Sequence, residues 1–116
     1  MGSQAAHDEL VKKAYEQVKK SEECAEELDL LYKEAEYGDN KRVVGECDIL
    51  GISVGETYIY GEIKSSYKQI SKGYKQENRF EDYFNEIREV YTKTFGPEEI
   101  ENGELKDFFE EVVNNA

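Results

Sequence analysis

Two short runs of alternating residues, 45–52 and 58–64, constrain this chain more than any other stretch. In each, apolar or aromatic residues recur with period two, and Gly55 marks a turn between them, so the pair reads as a β-hairpin. In the second run Tyr58, Tyr60, Glu62 and Lys64 share one face, and Thr57, Ile59, Gly61 and Ile63 share the other. In the first run Glu46, Asp48, Leu50 and Ile52 fall together. A hairpin closing around Val54-Gly55-Glu56 sets Asp48 opposite Glu62 and Glu46 opposite Lys64. Its reverse face then matches Ile49 with Gly61 and Ile59 with Gly51, large against small. Three-residue hairpin loops usually place glycine last, whereas Gly55 is central. The competing register is therefore a one-residue slip, which would send the two carboxylates to opposite faces.

Two carboxylates and a lysine on one sheet face form a chemical unit. Hard oxygen ligands suit Mg²⁺ or Mn²⁺, and a fixed ammonium beside them can orient a water and help deprotonate it. The plain alternative is a surface Glu/Lys pair on an ordinary hairpin. Asp48, a gap of thirteen residues and then Glu62-Ile63-Lys64 resembles the PD-(D/E)xK nuclease superfamily. Within it, the short chain looks most like the archaeal Holliday-junction resolvases and related small endonucleases. The resemblance implies an α/β, restriction-endonuclease-like core and a metal-dependent endonuclease acting on DNA, branched or structured DNA included. It further implies Mg²⁺ (or Mn²⁺) held by Asp48, Glu62 and the Ile63 carbonyl, with Lys64 positioning the attacking water. Lys64 ends its strand, where an ammonium needs only solvent, so the fold itself does not call for it.

Composition pulls the other way. The 116 residues carry 27 acids against 15 bases, a formal net charge of -12. Taken alone, that balance argues against a nucleic-acid partner and favours an acidic, non-catalytic interaction protein with a nuclease-like fold. The bases, however, are not evenly spread. Lys64, Lys68, Lys72, Lys75 and Arg79 follow one another at spacings of three or four, beside the proposed metal site. As the phosphate-binding stripe of a nuclease, Lys68, Lys72, Lys75 and Arg79 would answer the charge objection locally. As a lysine stripe on a helix, they would simply be a solvated face. Tyr67 and Tyr74 interleave with them, and Gln69 or Gln76 is the polar residue that some of these nucleases carry on the helix after the lysine.

The length predicts one domain over residues 1–116, with a core at about 22–95 and an acidic C-terminal helix at about 103–114. A hydrophobic fraction of 38% permits a single packed core. Cys24 and Cys47 are too few for a disulfide framework and lack metal-ligand spacing, so both are expected reduced and buried. No apolar run approaches a membrane span and no signal-peptide core is present, which predicts a cytoplasmic protein.

A helical pattern runs from about Ser3 or Asp8 to Tyr37, with Leu10, Ala14, Val18, Ala25, Leu28, Tyr32 and Ala35 near a 3.6-residue period and Gly38 as the stop. Glu22 interrupts this stripe, and a carboxylate facing the core needs a partner or a metal. Resolvase-like nucleases carry a glutamate on the first helix that points at the metal, and Glu22 is the position that matches. Alternatively the helix breaks at Ser21, leaving Glu22 in the first turn of a second helix. Glu46 is either a supporting acid of the site or a solvated residue at a strand end.

After a turn at Asp39-Asn40-Lys41 and the hairpin, Ser66-Tyr67-Lys68-Gln69 fits a capping box that opens a helix. Asn78-Arg79-Phe80-Glu81 fits a second, and Phe80, Tyr83, Phe84, Ile87, Val90 and Tyr91 predict an amphipathic helix ending before Gly96-Pro97. Asn102-Gly103 is a turn, followed by a helix with Leu105, Phe108, Phe109, Val112 and Val113 as its apolar stripe. The expectation is therefore a long N-terminal helix, a hairpin or three-stranded sheet, and C-terminal helices. The fourth strand of the nuclease core has no candidate after Gly73. Either the sheet stops at three, or a second subunit supplies the strand in a homodimer, or the catalytic reading fails.

Overall fold

The computed structural model describes residues 2–86 and 88–115. It is a mixed α/β fold in which one four-stranded sheet is covered by helices on both faces. The chain begins with α1 (Gly2–Lys20) and the short α2 (Glu22–Glu27), then forms β1 (Leu28–Gly38), β2 (Val43–Ser53) and β3 (Thr57–Ile63). A single 3-10 turn (Tyr67–Gln69) leads into α3 (Ile70–Phe84), followed by β4 (Glu89–Phe95), α4 (Pro97–Glu101) and α5 (Glu104–Asn115). The strands lie in chain order, β1-β2-β3-β4. The first two pairings are antiparallel, and β4 joins β3 in parallel after the α3 crossover.

The central hairpin has the register expected from the sequence: Ile49 pairs with Gly61, Leu50 with Tyr60, Gly51 with Ile59 and Ile52 with Tyr58. The fit of large against small is tight, because a Cβ on Gly61 would sit 2.7 Å from Leu105 Cδ1. Val54, Gly55 and Glu56 form the loop, and Glu56 takes the left-handed conformation (φ 64°) in the last place, where glycine is usual.

Two helical expectations are overturned. Residues 28–37 form the edge strand β1 rather than the second half of a long helix. Ser21 breaks the helix, its hydroxyl accepting the Cys24 N–H at 3.3 Å, and Leu28 leaves α2 with extended backbone. Leu28, Leu30 and Tyr32 fit period two as well as Leu28, Leu31 and Ala35 fit the helical period, and pairing with β2 decides between them. The second correction lies at 78–95. The supposed capping box at Asn78 is interior to α3, and Val90 and Tyr91 belong to β4, not to a helix. Ile87 lies outside the described residues. The expectation of a sheet without its fourth strand is thus wrong: this chain supplies the strand itself, in parallel beside β3, and needs none from a second subunit.

Two cores result. Val11, Ala14 and Val18 of α1 pack with Ile49, Ile59 and Ile63 of the sheet and with Leu105, Phe109, Val112 and Val113 of α5. On the opposite face Phe80 of α3 meets Cys47, Leu50 and Tyr60, with Tyr37, Tyr58 and Phe84 around them. Cys47 and Ile49, only two residues apart, serve different cores. Strict alternation therefore fails at Asp48, opposite Glu34, whose φ of 52° is also left-handed. Both cysteines are free and buried.

Candidate active site

Backbone pairing between β2 and β3 stops at Ile49 and Gly61, one step short of Asp48 and Glu62. From there a side chain takes over from the ladder. Asp48 Oδ2 accepts the Ile63 N–H at 2.8 Å, so this carboxylate fills the place of the next backbone acceptor. Its other oxygen, Oδ1, lies 3.3 Å from His7 Nε2 of α1. The Ile63 backbone also contributes, least of its neighbours, to raising the pKa of the imidazole. Asp48, Ile63 and His7 therefore converge where the two strands part.

Glu62 is 2% exposed. It accepts a short hydrogen bond from the Tyr60 hydroxyl and an ion pair from Lys64 Nζ at 2.9 Å. Burial, followed by the negative charge of Asp48, pushes the Glu62 carboxyl up to about 8, even though Tyr60 and Lys64 pull the other way. Tyr60 is itself driven well above the usual phenol range, by burial first and Glu62 second. His7 is raised, chiefly by its bond to Asp48 and against the effect of its partial burial.

Lys64 is not the solvated strand end that the sequence suggests. Its side chain is 14% exposed and turned back onto Glu62, while its backbone N–H donates to the Phe95 carbonyl at 2.9 Å. The fourth strand thus fixes the position of the lysine. Above this group opens a cleft of about 200 Å³ lined by Gln4, His7, Lys64, Ser65 and Gln69. Gln69, one of the two glutamines singled out from the sequence, is at its rim, and Gln76 is not among the lining residues.

The remaining candidates separate cleanly. Glu22 is exposed as the first residue of α2, where its charge favours the helix N-terminus, and no contact brings it to Asp48 or Glu62. The broken-helix alternative is the one realised, and the helix-borne group at the site is His7 instead. The sequence held the signal for it, since His7, Val11, Ala14 and Val18 are spaced by four, three and four residues and extend the buried stripe one turn toward the N-terminus. Lys68, Lys72, Lys75 and Arg79 are exposed, and none is held in an ion pair among the described residues. Lys72, Lys75 and Arg79 project within a narrow arc of α3, off the side that buries Gly73 and Phe80, and Lys68 lies in the 3-10 turn before it. Glu46 is exposed beside Asp48, and its carboxyl is raised by partial burial and by Asp48, Glu34 and Glu36.

Among the described residues, no three His, Cys, Asp or Glu side chains converge as a ready-made metal cage. None of their helices is long and apolar enough to cross a membrane. No protein-family model, curated protein or solved structure matches the chain.

Proposed function

We propose that the chain is a metal-dependent phosphodiesterase that cleaves DNA. The observation that carries this reading is the single buried group Asp48–Glu62–Lys64, set where two strands part and roofed by a cleft. Support also comes from the element order around it. A helix, three antiparallel strands, a helix and a parallel fourth strand are what a restriction-endonuclease-like core would need, with the acids and lysine on its two middle strands.

The donor set fits a hard divalent cation. Mg²⁺ is typically held by one or two carboxylates plus waters, so a complete protein cage is not required. Asp48, Glu62 and the Ile63 carbonyl would offer oxygen donors to such an ion, with His7 set against Asp48 and Lys64 against Glu62 beside them. A carboxyl that keeps its proton up to about pH 8 marks a site short of positive charge. The imidazole over Asp48, its pKa raised by that contact, and the ammonium over Glu62 make up part of that shortfall. When bound, the cation would polarise the scissile phosphate and lower the pKa of a water.

The chain's own residues do the rest. Lys64, its backbone held by Phe95 and its ammonium by Glu62, lines the cleft, where it would orient the attacking water and offset charge growing on the phosphate. Lys68, Lys72, Lys75 and Arg79 grip backbone phosphates without reading sequence. Two buried free thiols suit a reducing, cytoplasmic setting.

The deciding experiment is nicking of supercoiled plasmid and cleavage of branched DNA in Mn²⁺ by wild type and Lys64→Met. We expect the variant to fold and to lose cleavage by about 100-fold or more, the scale on which a single electrostatic catalytic group acts. Its Glu62, already raised by burial, holds a proton more firmly once the ammonium is gone, so the core survives. Equal cutting by both proteins, or none by either, would overturn the reading in favour of an acidic interaction protein. A binding measurement checks the metal directly: Mn²⁺ affinity should rise between pH 6 and pH 8.5, as Glu62 and His7 surrender protons to the ion, and Glu62→Gln should weaken it.

A further inference from the structure

A second, larger cleft of about 580 Å³ lies between α1 and the start of α4, and it shares Ser65 with the mouth of the catalytic cleft. Ser65 directly follows Lys64, so the larger cleft begins one residue from the group that would sit at the scissile phosphate. Ala6, Leu10 and Pro97 give it an apolar floor. Its rim is polar but unsuited to phosphate. Glu9, Glu16 and Glu101 outnumber Lys12 and Lys13, and Lys13 is already spent in an ion pair with Glu101. The basic stripe of α3 contributes nothing to its lining.

We infer that this cleft receives an unpaired nucleobase of the cleaved strand, from the nucleotide next to the scissile phosphate. The inference rests on the nuclease reading and adds a base-receiving site to it, one that requires an unstacked base at the cutting point. The division of surfaces carries the argument. Backbone phosphates have the free cations of α3, whereas a net-acidic rim over an apolar floor rejects them. A base has the complementary character, with a neutral, flat face for Leu10 and Pro97 and ring or exocyclic N–H donors for the rim carboxylates. A base stacked inside a continuous duplex cannot reach such a cleft without being extruded.

The test compares labelled duplexes carrying one unpaired base, placed in turn on either side of the cutting point, with the same duplexes carrying an abasic residue there. Wild type and Ala6→Trp are assayed in Mn²⁺, with Lys64→Met as the chemical control. Ala6 is exposed on α1, so tryptophan fills the cleft without entering the core, and an unchanged melting curve checks this. We expect wild type to cut the unpaired-base substrate about tenfold faster than its abasic counterpart on one side only, and Ala6→Trp to bring that ratio near one. Lys64-dependent cutting with a ratio near one already in wild type would overturn the base site and leave the nuclease standing. A ratio untouched by Ala6→Trp would likewise move the base elsewhere. Cutting independent of Lys64, or no cutting, would remove the nuclease reading and the base site with it.

Discussion

The two ends of the β2–β3 hairpin are held by opposite means. Toward the loop, four successive residue pairs are joined backbone to backbone, and Gly51 and Gly61 leave room for Phe109 and Leu105 of α5. That end needs nothing but burial and close fit, and it is indifferent to pH. Toward the open end, the strands part and are tied by side chains: Asp48 to Ile63 and His7, Glu62 to Tyr60 and Lys64. Here two carboxylates are buried in mutual repulsion, and each is tolerated only because donors surround it. One end of the hairpin is built for stability, while the other sacrifices some of it to keep charge in place.

That contrast can be broken first at Asp48. Asp48→Ala removes the acceptor of a buried N–H and the anion facing His7, and should cost about 2–4 kcal/mol in urea unfolding of the metal-free protein. A cost near zero would mean the open end is solvated and the tie unimportant.

Acting on the packed end should cost somewhat less and show no pH dependence. Gly61→Ala puts a methyl 2.7 Å from Leu105 Cδ1, and the expected loss is about 1–3 kcal/mol, equal at pH 5.5 and 8.5. Recovery of part of that loss in the Gly61→Ala/Leu105→Val double variant would identify the clash as the cause.

The sharpest separation is by pH. Glu62 has a folded pKa of about 8 against an ordinary value of 4.5. Between those values the folded protein keeps a proton that the unfolded chain releases, so stability falls as pH rises through the window. His7 acts in the same direction, since its raised pKa gives stability that is present below the ordinary value of 6.5 and lost as pH rises through the folded pKa. Glu62→Gln should flatten the decline relative to wild type by less than about 1.4 kcal/mol per pH unit, the limit for one proton. Parallel wild-type and variant curves from pH 5.5 to 8.5 would show that Glu62 is ionised throughout.

The smallest effect belongs to the loop. Glu56 holds a φ of 64° that glycine adopts without strain. Glu56→Gly should stabilise by about 0.5–1 kcal/mol, less whatever glycine adds to the entropy of the unfolded chain. A measured loss would mean that Glu56 makes a compensating contact.

How far each part was legible in the sequence follows from how local its determinants are. Residues 49–61 could be read directly: the alternation and register of the hairpin appear as short-range patterns, as does the apolar stripe of α5, whereas the alternation breaks at Asp48. Gly51 and Gly61 opposite two isoleucines pinned a register that the loop residues left open. The basic stripe of α3 was equally plain, because helical spacing alone puts Lys72, Lys75 and Arg79 on one side, with Lys68 in the 3-10 turn just before them. The edge strands were misread for a physical reason. A half-exposed strand shows only a few apolar residues: Leu28-Leu31-Ala35 fit the helical period as well as Leu28-Leu30-Tyr32 fit period two, and Val90 and Tyr91 of β4 continue the helical spacing of Tyr83 and Phe84. Only pairing to a neighbouring strand, over a separation no local window contains, settles such a segment. The same holds for the site. The chain by itself determined which residues carry charge and that Asp48, Glu62 and Lys64 lie close together. Tertiary structure alone decided that α1 brings His7 rather than Glu22 to Asp48, and that β4 clamps Lys64 through Phe95. Both contacts join residues more than thirty positions apart, and they form only when the helices close over the sheet to bury its two apolar faces.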